Sequence, residues 1–230
     1  MLLAGVTLNR VTLNLPRLQA FLTELKFNNE KVWFDANRSR YQALRDEFTD
    51  FLAGVIAGVA EFDPAVAGVQ PKSAMFRINR DVRFAHDKSP YKTNFSAAIS
   101  PGGKQSSLPL YYLQLGADES FVAGGIYAPP PADVAVIRAY VEWYPAKDDA
   151  LLADQELNEA FGGLATGGML KRFPKGFGEA SELLKYRSFT VASPLDTAQG
   201  DDLTQAVVQK CAAMRPLHEW LREALAYRKP

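Results

Sequence analysis

The spacing of apolar residues changes period along this chain, and those changes restrict its fold more than any other feature. Up to residue 62 the apolar positions recur every three or four residues, the repeat of helices with one buried face. Pro16 opens the first of these helices over 16–26, with Leu18, Phe21, Leu22 and Leu25 on one stripe. Asn28 and Asn29 break it, and Asn29 is placed to cap a short second helix carrying Trp33 and Phe34. The spacing predicts a longer helix over 39–60, with Tyr41, Leu44, Phe48, Phe51, Leu52, Val55 and Val59 turned to the core. Asp63-Pro64 closes the helical section.

Beyond that point the pattern alternates residue by residue. Segments 75–78, 94–99, 110–115 and 120–127 read as strands, divided by Ser89-Pro90, Pro101-Gly102-Gly103 and Gly116-Ala117-Asp118. Three prolines at 129–131 lead into a helix over 132–143, and a further helix is predicted over 148–160. A late strand over 186–191 precedes a terminal helical pair, 202–214 and 217–227, separated by Pro216. Short turns favour antiparallel pairing. Helices, then a strand meander, then helices define an α+β fold, with a mainly antiparallel sheet packed by helices from both ends of the chain.

Charge is balanced overall and unbalanced locally. Lys+Arg and Asp+Glu number 26 each and the pI is about 6.8, so the chain has no general attraction to nucleic acid or anionic lipid. Within 76–95, FRINRDVRFAHDKSPYKTNF, five cations (Arg77, Arg80, Arg83, Lys88 and Lys92) stand against two carboxylates, Asp81 and Asp87. Either these groups pair with one another and with distant acids to hold a loop in shape, or they face a cleft that accepts an anion. Arginine suits the second role because its planar fork grips carboxylate or phosphate through two hydrogen bonds. Tyr91 and Asn94 would add hydrogen-bonding groups. Asp81 and Asp87 are the candidate catalytic residues, since a carboxylate orients cations, binds a metal or accepts a proton according to its neighbours.

A second basic and aromatic run, Leu170-Lys171-Arg172-Phe173-Pro174-Lys175-Gly176-Phe177, offers Lys171 and Lys175 as further ligand contacts or is a solvated turn. Other chemistries find little to stand on. His86 and His218 are the two histidines and Cys211 the one cysteine, which argues against a transition-metal site and rules out an internal disulfide. Neither a nucleophile elbow, a Walker loop nor a G-x-G-x-x-G follows any strand. The lone cysteine fits a reducing cytoplasm. The opening segment lacks the basic start and cleavage pattern of a signal, and no apolar run approaches the roughly 20 residues of a membrane span.

The chain resembles the DUF2461 family of uncharacterised proteins. The resemblance rests on Asn28-Asn29, Trp33-Phe34, Asn37 and Tyr41, then Phe76-Arg77, Arg80-Asp81-Val82-Arg83-Phe84 and Asp87-Lys88-Ser89-Pro90-Tyr91-Lys92-Thr93-Asn94. It continues through Gly124-Gly125-Ile126-Tyr127, Leu170-Lys171-Arg172, Pro174-Lys175-Gly176 and Leu183-Leu184-Lys185. It implies a single soluble domain over 17–230, with 1–16 as an N-terminal extension, and a site at the charged run; it does not name a reaction, and the cofactor is left unknown. His86 stands where similar sequences often carry lysine, which argues against it as a catalytic base. The leading expectation is a cleft that binds or turns over a phosphate- or carboxylate-bearing small molecule, with Arg80 and Lys88 on the anion. The alternatives are a non-enzymatic interaction domain with a structural Arg/Asp/Lys network, and nucleic-acid binding, which zero net charge disfavours.

Overall fold

The computed structural model describes residues 13–84, 86–104, 106–179, 181–197 and 203–227. Most of the expected 1–16 extension therefore lies outside the described residues, although Leu13 and Leu15 are buried in the core. The strands β1 (Asn94–Ile99), β2 (Leu110–Gly116), β3 (Ser120–Ile126) and β4 (Phe189–Pro194) form one antiparallel sheet in the order β1-β2-β3-β4. Register pairs Phe95 with Leu115, Ala97 with Leu113, Ile99 with Tyr111, and Leu113 with Val122. Because side chains alternate across a strand, this register collects those residues with Phe189 and Val191 on one buried face.

Helices supply the other side of that core. The N-terminal group is α1 (Leu15–Phe27), α2 (Lys31–Ala36) and α3 (Arg38–Ala60), and Phe48 of α3 meets Phe95 of β1 edge-on at 5.5 Å. A short α4 (Pro71–Ala74) follows. Between β3 and β4 run α5 (Pro131–Trp143), α6 (Pro145–Leu152) and α7 (Gln155–Phe161). The terminal pair, α8 (Leu203–Ala213) and α9 (Arg215–Ala226), packs behind β3. Among the described residues no helix is long and apolar enough to cross a membrane.

Four expectations need correction. Segment 75–78 is not a strand; it touches the sheet through single bridges, Met75 to Ala97 and Asn79 to Tyr91, because the chain turns off β1 toward its own residues 90–92. The helix expected over 148–160 is two, since the Asp154 side chain accepts from the Leu157 amide at 2.8 Å and starts α7 afresh. The late strand begins at Phe189, after a 3-10 turn over Glu182–Lys185. Pro216 does not separate the last helices; it sits in the first turn of α9, where a missing N–H costs nothing.

Candidate functional site

Residues 79–84 and 86–91 form two limbs that are tied at the base of a loop. The Arg80 amide donates to Pro90 O at 2.9 Å and the Lys92 amide to Ile78 O at 2.8 Å. Asn29, expected as a helix cap, instead clamps this base. Its Nδ2 donates to Tyr91 O at 2.9 Å and its Oδ1 accepts from Tyr91 N at 3.0 Å, so the side-chain amide pairs with Tyr91 as a neighbouring strand would. The Tyr91 ring stacks on Phe34 of α2 at 4.0 Å between centroids. Asn29 of the α1–α2 connection and Phe34 of α2 thus set the backbone that leads into Lys92, Thr93 and Asn94.

Most of the loop's charges are matched internally. Arg83 grips Asp81 through Nε at 3.0 Å and a terminal nitrogen at 2.7 Å. Arg80 pairs with Asp87, whose other oxygen accepts from the Ser89 amide at 2.9 Å and hydroxyl at 2.6 Å. The Lys88 ammonium donates to Val82 O at 2.9 Å. Arg83 beside Asp81, and Ser89 then Arg80 beside Asp87, hold both carboxyls below the usual carboxylate range, Asp87 far below. Carboxylates so stabilised are weak proton acceptors at neutral pH. Among the described residues, no three His, Cys, Asp or Glu side chains gather as a metal would require.

Beside the loop base lies an open hollow of about 380 Å³, walled by Lys26, Asn29, Arg80, Asp87, Ser89, Tyr91, Lys92, Thr93 and Asn94. Of the expected ligand contacts it therefore gathers Arg80, Tyr91, Lys92 and Asn94. Arg77, Arg83 and Lys88 lie outside its wall, as do Lys171 and Lys175, which are exposed on the 170–178 loop. Lys26 was not anticipated; it lies in the last turn of α1, where its ammonium also meets Asp118. Lys92 carries a depressed amine pKa, through burial first and then the nearby Arg77 and Lys104 cations.

A second polar cluster, unforeseen from the sequence, is buried behind the sheet. Asp63 accepts from the Tyr111 hydroxyl at 2.9 Å and pairs with Arg222 of α9. One turn earlier, His218 Nε2 accepts from the Gly125 amide at 3.2 Å, so its proton is on Nδ1, a buried atom without a partner. Burial, with Arg222 adding to it, lowers the His218 pKa to about 3. Asp148 of α6 is buried too, with one oxygen accepting from the Trp220 indole at 3.1 Å and the other unpartnered. Burial raises that carboxyl to about 6.

These two groups oppose each other in pH dependence. His218 is neutral when folded, so its contribution is complete above the unfolded value near 6.5 and is lost as pH falls toward 3. Asp148 holds its proton in the fold up to about pH 6, so its contribution is complete below the ordinary 3.8 and is lost as pH rises to about 6. Between those limits the slopes, each about 1.4 kcal/mol per pH unit, cancel. Asp148→Asn, which mimics the neutral acid, is expected to gain about 3 kcal/mol relative to wild type between pH 4 and pH 7 in urea titrations. A constant difference across that range would show that Asp148 is ionised in the fold.

The four-stranded antiparallel sheet, its two flanking helical groups and the clamped cationic loop define an α+β protein of one particular kind. The chain belongs to the DUF2461 family: the family model, described as a conserved hypothetical protein, matches residues 17–220. No curated protein and no solved structure matches the chain.

Proposed function

We propose that the hollow beside the loop binds a small molecule through a phosphate or carboxylate group. The observation that carries this is the charge of its wall. Arg80, Lys92 and Lys26, the last also paired with Asp118, face it with one carboxylate in the wall, Asp87, already held by Ser89 and Arg80. Arg80 uses one terminal nitrogen on Asp87, leaving further donors of its five for a ligand. Asn29, Thr93 and Asn94 complete the wall with neutral hydrogen-bonding groups. Asp81 and Asp87 act in this reading as positioning residues for Arg83 and Arg80, not as proton acceptors. Cys211, buried and with its thiol pushed up to about 12, stays protonated and suits a cytoplasmic setting.

A thermal-shift screen of inorganic phosphate, phosphorylated metabolites and dicarboxylates tests the reading. A ligand at a hundred times its Kd adds about 2.7 kcal/mol to the folded state, a shift of several degrees. Arg80→Ala is expected to weaken binding about tenfold or more, since it removes a charge-assisted donor and leaves the Asp87 charge uncompensated beside the anion. Equal shifts for both proteins, or none with any anion, would overturn the assignment.

A further inference from the structure

Lys92 links the hollow, which it walls, to Phe76, the first of three aromatic rings that form a row on the outer face of the sheet. The Phe76 amide donates to Ser96 O, Ala98 lies opposite Tyr112, and Gln114 lies opposite Phe121. By alternation Phe76, Tyr112, Gln114 and Phe121 therefore share the face opposite the core. Successive ring centroids are 6.1 Å apart from Phe76 to Tyr112 and 5.6 Å from Tyr112 to Phe121, and all three rings are half-exposed.

Cations gather at one end of this row. The Lys92 and Lys104 ammonium groups lie 5.1 and 5.6 Å from the Phe76 centroid, and Arg77 adds its field to Lys92. Among the described residues none of the three makes an ion pair. Asp81, which feels the Arg77 charge, is gripped by Arg83, and Glu119 lies at the opposite end of the row, where it accepts from Gln114 at 3.4 Å. Lys92 belongs to both places, since it also walls the hollow.

We infer that the anion bound at the hollow is the phosphate of a nucleotide, whose base lies over Tyr112 and Phe121. This rests on the anion-binding reading above and names its ligand class. A flat ring is what half-exposed aromatic faces accept, because base stacking on such side chains is sequence-tolerant and strong. The Gln114 oxygen accepts from the Tyr112 hydroxyl at 3.1 Å and its nitrogen donates to Glu119 at 3.4 Å, which leaves one amide hydrogen and one lone pair for a base edge. Zero net charge excludes a general pull on nucleic acid, so the attraction is confined to this patch.

Titrations of inorganic phosphate, adenosine, AMP and a short oligodeoxythymidine against the full chain, followed by intrinsic fluorescence and amide NMR shifts, test the inference. AMP is expected to bind at least about tenfold more tightly than phosphate, with the gain lost in Phe121→Ala while phosphate affinity is unchanged. An oligonucleotide that binds more tightly than AMP, with the same Phe121 dependence, would identify the natural source as a single strand. If phosphate and AMP bind equally, the nucleotide inference fails while the anion site stands. If neither binds, both fail. The wild-type comparison decides even where Phe121→Ala proves unstable.

Discussion

Gly125→Ala is expected to destabilise the fold by roughly 3–5 kcal/mol, enough to leave little folded protein at physiological temperature. Gly125 has φ +104, a conformation that L side chains rarely adopt. It also lies opposite Thr190 in the β3–β4 pair, where an added Cβ would meet the Phe189 carbonyl oxygen at 2.0 Å and the Thr190 Cα at 3.1 Å. Both obstacles are backbone, so relief requires β4 to move away and its ladder to open. The Gly125 amide would be disturbed as well, and with it the hydrogen bond to His218. Gly68→Ala serves as the reference, because nothing lies within 4 Å of its added Cβ. Urea denaturation of the two variants should differ by several kcal/mol; similar midpoints would mean that the strands part more easily than this geometry implies.

Gly124-Gly125 was legible in the sequence only as part of a motif, because the close approach belongs to a strand more than sixty positions later. The same distinction separates what could be read from what could not. Helices α1 and α3 and strands β1, β2 and β3 announce themselves through local periodicity, and each lies close to where the pattern puts it. Segment 75–78 alternates like a strand yet is paired only by single bridges, since its partners were settled by the loop that follows. In the site, the surplus of cations was visible, and Asp81 with Arg83 is the kind of near-neighbour pair that the structural alternative anticipated. The clamp by Asn29 was not, because the amide reaches Tyr91 from another element. Lys104 likewise joins Lys92 only through the turn after β1. For the buried cluster a signal did exist: His218 falls on the apolar stripe with Leu217, Leu221 and Ala224, all buried, and a titratable group there must find partners in the core.

Arg222→Ala is the second substitution with a large expected effect, and its pH dependence tests the reason. Asp63 is 4% exposed, and Tyr111 and Arg222 are the groups that offset its desolvation. Breaking a buried pair by removing one partner costs about 3–5 kcal/mol, because the charge left behind is uncompensated. The partial exposure of Arg222 places this case at the low end. In the wild type, burial works to raise the Asp63 carboxyl and the bonds from Arg222 and Tyr111 lower it further, so its net pKa lies below the usual value. That contribution is present above the unfolded pKa and lost as pH falls. Without Arg222 the burial effect wins and the carboxyl rises above its unfolded value, so the variant's folded state takes up a proton more readily than its unfolded chain. Its deficit against wild type should therefore be full at pH 7 and shrink on acidification toward pH 4, where the carboxyl is neutral. His218 moves the same way, since Arg222 is one of the groups that depress it. Asp63→Asn/Arg222→Met, which removes both charges and keeps the volume, should recover most of the loss at pH 7. Urea titrations of the two variants at pH 4 and pH 7 separate the cases: a deficit independent of pH would trace the loss to the packing of the arginine stem, and a double variant no better than Arg222→Ala would show that Asp63 was never strained by its burial.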